Sequence, residues 1–272
     1  MRGHLKYQDV TTGEIVSEMK SKKGEPSSLC QNPQNGIMHM GHSYGGVTLW
    51  SPNMGSSLVD MLCHPSCPIL SISILKNGNY MVTTGTDSRM KVWDLRKYEE
   101  VYDYFTPGPA YSSDISQKGL LSVCYGNNVL VWKDWYLEKQ KEPYMSHRVK
   151  KGSKVMSCKF APYEDYLGLG HTNGVSSIVV PGSGEPNFDA FEANPFETRI
   201  QKREAQVHQI LEKLQPSTIV LDQSKIGSLD TASKEVKDQE RMEEMKKFTS
   251  NKKNVKKSRK RKRGSKFFVC QM

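Results

Sequence analysis

Apolar and polar residues alternate along five segments of this chain, and tight-turn signals divide each segment. The clearest runs from Ile69 to Val101. Ile69-Leu70-Ser71-Ile72-Ser73-Ile74 alternates, Asn77-Gly78 turns the chain, Tyr80-Met81-Val82 returns, and Asp87 turns it again into Met90-Lys91-Val92-Trp93. A segment from about Ser27 to Val59 holds Gly36-Ile37-Met38-His39-Met40-Gly41 and then Gly46-Val47-Thr48-Leu49-Trp50. Another, from Ala110 to Trp132, pairs Gly119-Leu120-Leu121-Ser122-Val123-Cys124 with Val129-Leu130-Val131-Trp132 across Gly126-Asn127-Asn128. Val155 to Val180 repeats the plan around Asn173-Gly174. Leu5 to Val16 has the shape of two strands and a turn, with Gln8 where the others place Trp. Alternation with period two buries one face of a strand, and Asn-Gly and Asp-centred turns supply the positive φ of tight hairpins.

Trp50, Trp93 and Trp132 end three of these segments, 43 and 39 residues apart. A period of about 40 residues with four short strands is the spacing of a β-propeller blade. The pattern predicts an all-β fold over residues 1–184: about four and a half blades of a ring of seven or more. The chain enters in mid-blade, at a third strand. That predicts an open strand edge and poor solubility of the chain on its own.

Beyond the blades the period changes. Asn194, Pro195 and Glu197 have the types expected of a helix cap, a first helical position and a capping box. Ile200, Val207, Ile210, Leu211 and Leu214 share one face, and Pro216 stops the pattern. The spacing predicts an amphipathic helix over about 195–214, including Phe196, within an extension spanning 185–230. Such a helix docks either on its own propeller or on a partner, and spacing leaves both open. Residues 231–248 read as a charged, partly helical stretch, and 231–272 as linker and tail.

Charge sharpens that division. The chain carries a net +10, and residues 246–272 hold twelve Lys and Arg with no acidic residue. Removing those twelve leaves −2 for the rest, so the basicity belongs to the tail. Lys252, Lys253, Lys256, Lys257, Arg259, Lys260, Arg261, Lys262, Arg263 and Lys266 form a block that predicts a disordered arm. Its composition fits a nuclear localisation signal, an RNA-backbone arm, or both. A hydrophobic content of 36% and a mean hydropathy of −0.63 accord with a folded part beside a polar tail. Six cysteines show no regular framework and read as reduced thiols. The N-terminal residues lack an apolar signal core, and no apolar run nears the roughly 18 residues of a membrane span. These features predict a soluble intracellular protein.

Candidate chemistry is sparse. Cys63-His64-Pro65-Ser66-Cys67 offers three metal-ligating types but lacks a second ligand pair at fitting spacing. No phosphate loop or nucleophile elbow occurs, and nothing marks Glu99, Glu100 and Asp103 as an acid/base pair. The sequence therefore predicts no enzyme, no metal and no cofactor.

The repeats resemble WD repeats. His64 stands at the His of their Gly-His position, with Cys63 in place of Gly. The resemblance implies a hydrogen-bond network joining His64, Asp87, a strand hydroxyl assigned to Thr84, and Trp93. The following stretch is more specific. Gly182-Ser183-Gly184-Glu185-Pro186-Asn187-Phe188-Asp189, Ala193-Asn194-Pro195-Phe196-Glu197-Thr198, Gln201 to His208, Leu211 to Pro216 and Ile219-Val220-Leu221-Asp222 stand in a single run. Together these resemble the nucleolar WD-repeat family of the small-subunit processome, associated with U3 small nucleolar RNA. The resemblance covers about residues 1–230.

It implies a non-catalytic scaffold of ribosome biogenesis in the nucleolus, supporting pre-18S rRNA processing and 40S assembly. Implied partners are other processome proteins, and U3 RNA and pre-rRNA through backbone contacts, with no membrane and no small-molecule substrate. Members of that family have a longer N-terminal part holding the missing blades. The chain therefore reads as a C-terminal fragment or a truncated gene model. Phe267 to Met272 match no pattern. The alternative is a generic WD-repeat adaptor outside ribosome assembly.

Overall fold

A computed structural model describes residues 3–150, 152–186, 194, 196–221 and 242. Five antiparallel sheets follow one another along the described residues. The first pairs β1 (His4–Gln8) with β2 (Ile15–Lys20). The second holds β3 (Pro26–Gln31), β4 (Met38–His42), β5 (Gly46–Trp50) and β6 (Val59–Leu62). The third holds β7 (Ile69–Ile74), β8 (Tyr80–Gly85), β9 (Arg89–Asp94) and β10 (Glu99–Phe105). The fourth holds β11 (Ala110–Ile115), β12 (Leu121–Tyr125), β13 (Asn128–Trp132) and β14 (Met145–Arg148). The fifth has three strands, β15 (Val155–Phe160), β16 (Tyr166–His171) and β17 (Gly174–Val179). Each sheet is a meander of sequential hairpins. The leading strands β3, β7, β11 and β15 each touch the next. The sheets thus stand side by side with their first strands innermost, which is the arrangement of propeller blades.

The core lies between blades. Ile37, Leu49, Ile72 and Trp93 join the second and third sheets, and Val82, Val92, Leu121 and Trp135 join the third and fourth. Val129, Val131, Leu167 and Leu169 join the fourth and fifth, while Leu5, Met19, Met40 and Trp50 seat the first pair on the second sheet. A blade flanked on both sides buries both faces of its middle strands. Consecutive Leu121, Ser122, Val123 and Cys124 are accordingly all buried.

The first hairpin of each of the last four sheets carries a register shift at the same place: Pro26/Ser28, Ile69/Ser71, Ala110/Ser112 and Val155/Ser157. A serine follows the shift every time. Such bulges bend a strand and raise its twist, which suits innermost strands that converge.

The described residues up to Leu221 belong to one compact unit, and residues 224–272 lie outside the described residues except for Met242. Among the described residues no helix is long and apolar enough to cross a membrane.

Candidate interaction surfaces

The tryptophan network differs from the expectation in one residue. His64 is fully buried, and its Nδ1 lies 2.8 Å from Asp87 Oδ2. The strand hydroxyl is that of Thr83, not Thr84: Thr83 Oγ1 lies 3.0 Å from His64 Nε2 and accepts from Trp93 Nε1 at 3.0 Å. Pleating explains the correction. Met81 pairs with Trp93 and Thr83 with Lys91, so Thr83 shares the face of Trp93. Thr84 points the other way and donates to the Ala110 carbonyl at 3.0 Å.

Blade two reaches the same chemistry from other positions. Trp50 Nε1 donates to Thr48 Oγ1 at 2.7 Å, and His42 Nε2 lies 2.7 Å from the same hydroxyl. Burial lowers the pKa of His42. In blade four, Val123 stands where blade three has Thr83, and Trp132 instead packs on Tyr104 with ring centroids 5.3 Å apart. The indole buried there is Trp135, which donates to the Gly119 carbonyl at 2.8 Å. These hydrogen bonds brace individual blades from within, and their polar atoms face the protein interior. Cys63 is buried too, and burial pushes its thiol up to about 12, so it is a poor thiolate. Among the described residues no three or more His, Cys, Asp or Glu are grouped to hold a metal.

The chain leaves β17 as a strap across the turns that end the innermost strands. Asp165 Oδ1 accepts from Gly184 N at 2.8 Å, and the N–H groups of Gly184 and Gly182 hold its carboxyl below the usual carboxylate range. Gln117 Oε1 accepts from Tyr163 N at 2.7 Å and from Glu185 N at 3.1 Å, tying blade four, blade five and the strap at one atom. Lys76 of blade three lies 3.6 Å from Glu185. Gly184 has to be glycine here, because a Cβ would stand 2.7 Å from the Glu164 backbone. Beside the strap a cavity of about 250 Å³ opens between Pro33, Ile74, Lys76, Asp114, Gln117 and Phe160.

The helix that follows starts later than the pattern suggested. α1 spans Arg199–Leu211, capped by Thr198 in a full capping box with Gln201. Asn194 instead closes a local turn, its Oδ1 accepting from Phe196 N at 2.9 Å. The Thr198–Gln201 box satisfies two backbone donors reciprocally, and that fixes the start. Leu214 falls beyond the helix end. No residue of α1 is buried: Ile200 is 70% exposed, Val207 55%, Ile210 57% and Leu211 75%, with Phe196 at 68% and Leu214 at 65%.

Its C-terminal continuation does dock. Lys213 pairs with Asp9 of the first sheet. Ser51 Oγ donates to the Ile219 carbonyl at 2.7 Å, and the Ile219 side chain packs against the core between blades two and three. The helix is therefore presented from a segment anchored at its far end. Pro195 and the basic positions Lys252 to Lys266 lie outside the described residues.

Residues 143–222 match the family model described as the BING4CT (NUC141) domain, which takes in the fifth blade, the strap and α1. The chain is 42% identical over 251 residues to U3 small nucleolar RNA-associated protein 7 of Saccharomyces cerevisiae, across 86% of this chain and 45% of that protein. It is 39% identical to WD repeat-containing protein 46 of Caenorhabditis elegans (87% of this chain, 40% of that one). To the Homo sapiens protein of the same name it is 37% identical (89% and 40%). The chain thus spans less than half the length of these relatives. Among solved structures, a chain in the crystal structure of the mitotic checkpoint complex superposes with a TM-score of 0.58 at 17% identity, covering 67% of this chain and 58% of that one. That likeness speaks to the fold alone. The chain belongs to the WD-repeat family of U3 small nucleolar RNA-associated protein 7 and WD repeat-containing protein 46.

Proposed function

We propose that this protein is a non-catalytic scaffold of the small-subunit processome, acting in the nucleolus in pre-18S rRNA processing and 40S assembly. The observation that carries this reading is α1. A helix whose apolar side chains Ile200, Val207, Ile210 and Leu211 share one face, with no buried residue, stands on an anchored segment. A monomer that left such a stripe bare would gain nothing from it, whereas a helix laid in a partner's groove buries it. The RNA association in the printed name of the yeast relative supports a ribonucleoprotein partner. The polar atoms of the His64, Asp87, Thr83 and Trp93 network are turned inward to brace blade three. The partners are other processome proteins through α1 and the blade rims, and U3 RNA and pre-rRNA through backbone contacts. The basic tail serves as a localisation signal, an RNA arm or both.

The test is purification of the tagged chain from cells. U3 RNA that stays bound in moderate salt, with nucleolar staining, is the expected result. Diffuse cytoplasmic location without U3 RNA would sink the reading and leave a general WD-repeat adaptor.

A further inference from the structure

Several cations of the sheets pair with carboxylates. Lys23 sits 2.6 Å from Asp60, Lys91 2.6 Å from Glu100, Arg96 2.8 Å from Asp94 and Lys159 2.6 Å from Asp114. One corner differs in having no carboxylate in its turns. The β12–β13 turn (126–128), the β14–β15 loop (148–154) and the β16–β17 turn (171–174) contain no acidic residue in the sequence. Arg148, Lys150 and Lys154 are exposed there and have no carboxylate partner among the described residues.

The corner is preformed. Val149 is buried and donates its N–H to the Asn127 carbonyl at 2.9 Å, and Val155 N donates to Gly126 O at 2.7 Å. Ser153 Oγ donates back to Lys150 O at 2.9 Å. Lys154 N donates to Thr172 Oγ1 at 3.2 Å, while Thr172 N donates to Lys154 O at 3.0 Å. The described residues of three separate turns from two blades are thereby tied into one surface, with Asn128 opposite Arg148 and exposed Asn173 beside the loop.

We infer that this corner binds the phosphate backbone of single-stranded RNA. The inference rests on the ribonucleoprotein reading above and gives it a site on the folded blades, separate from the tail. Unpaired Lys and Arg with neighbouring Asn and Thr are the groups that contact phosphate and sugar. A loop already held in place loses little freedom on binding. The absence of carboxylates removes the repulsion that a polyanion would meet on the other turns.

The experiment compares two triple variants of the full chain. One is Arg148→Gln with Lys150→Gln and Lys154→Gln. The other removes the same charge from the 133–142 loop, Lys133→Gln with Lys139→Gln and Lys141→Gln, where Asp134, Glu138 and Glu142 are interspersed. Both are titrated with a labelled single-stranded RNA over a range of salt, and their melting is checked against the unaltered chain. Three lost phosphate contacts lower the slope of log K against log salt by about 2, and affinity near 0.1 M salt falls about tenfold or more. The control triple keeps the slope and stays within about twofold. An unchanged slope in the corner variant, or equal losses in both variants, overturns the inference. So does a corner variant that keeps its RNA affinity but loses a protein from the purified particle, which would assign the corner to protein. Absence of U3 RNA from the unaltered chain is a separate failure, that of the functional reading.

Discussion

Thr83→Val keeps the shape of a buried strand residue and deletes one hydroxyl that serves two partners. The indole of Trp93 donates to Thr83 Oγ1, which leaves the hydroxyl proton for His64 Nε2, both at 3.0 Å. His64 Nδ1–H then donates to Asp87 at 2.8 Å, and this chain of donors assigns the tautomer. Valine strands a buried indole N–H and a buried imidazole nitrogen. At about 1–3 kcal/mol for each unsatisfied group, the two together cost about 2–6 kcal/mol. Thr84→Val is the matched comparison. It loses one neutral hydroxyl donor, shared between Ala110 O at 3.0 Å and Ser71 O at 3.5 Å and worth about 1 kcal/mol. With an m-value of about 2 kcal/mol/M in urea, the midpoint falls by about 1–3 M for Thr83→Val and about 0.5 M for Thr84→Val. Tryptophan fluorescence during urea titration reads both. Equal midpoints, or a larger loss for Thr84→Val, would refute the face assignment and the network built on it.

Burial holds His39 at a pKa of about 4, below its ordinary 6.5. A depressed pKa contributes stability that is present above about 6.5 and lost as pH falls toward about 4. The urea midpoint should drop across that window, and His39→Leu should flatten the drop. A parallel fall in the variant would clear His39 of the effect. Asp165→Asn and Gly184→Ala should both loosen the strap, the first by weakening its acceptor and the second by forcing a Cβ onto the Glu164 backbone. Amide hydrogen exchange at positions 184 and 185 should then speed up, and unchanged exchange would contradict the strap. Because the Asp165 carboxyl is held low by the strap's N–H groups, that hold is present above the ordinary aspartate range and lost as pH falls through the lowered value. Ile219→Ala removes a half-buried side chain from the gap between blades two and three and should cost about 1–2 kcal/mol in the same urea assay; a midpoint equal to that of the unaltered chain would show that the contact is idle.

The blades were legible because Trp50, Trp93 and Trp132 stand at the ends of third strands in the same register, opposite Met38, Met81 and Leu121. The hydroxyl was not. Thr83 and Thr84 are adjacent, and only the pairing of Met81 with Trp93 decides which of them shares the indole's face. The blade-two network escaped because His42 and Thr48 meet across a hairpin, from positions that blade three fills with other residues. β14 was missed because Met145-Ser146-His147-Arg148 has no apolar alternation; it pairs with β13 after a charged loop. Two cap signals lie four residues apart before α1, and the one that closes reciprocally, Thr198 with Gln201, sets the start. The helix face was readable from period alone. Its exposure was not, because that depends on where Lys213 and Ile219 anchor the segment.

The account turns on α1 as the handle by which the scaffold enters its particle. The direct measurement is U3 RNA recovered with the tagged chain, unaltered or carrying Ile200→Asp, Val207→Asp and Leu211→Asp together. Those side chains are exposed, so the blades should unfold at the same urea concentration in both. The account predicts U3 RNA with the unaltered chain and about a tenfold loss or more with the variant, as expected when the anchors of a docked helix are removed. Full recovery of U3 RNA by a correctly folded variant would contradict it.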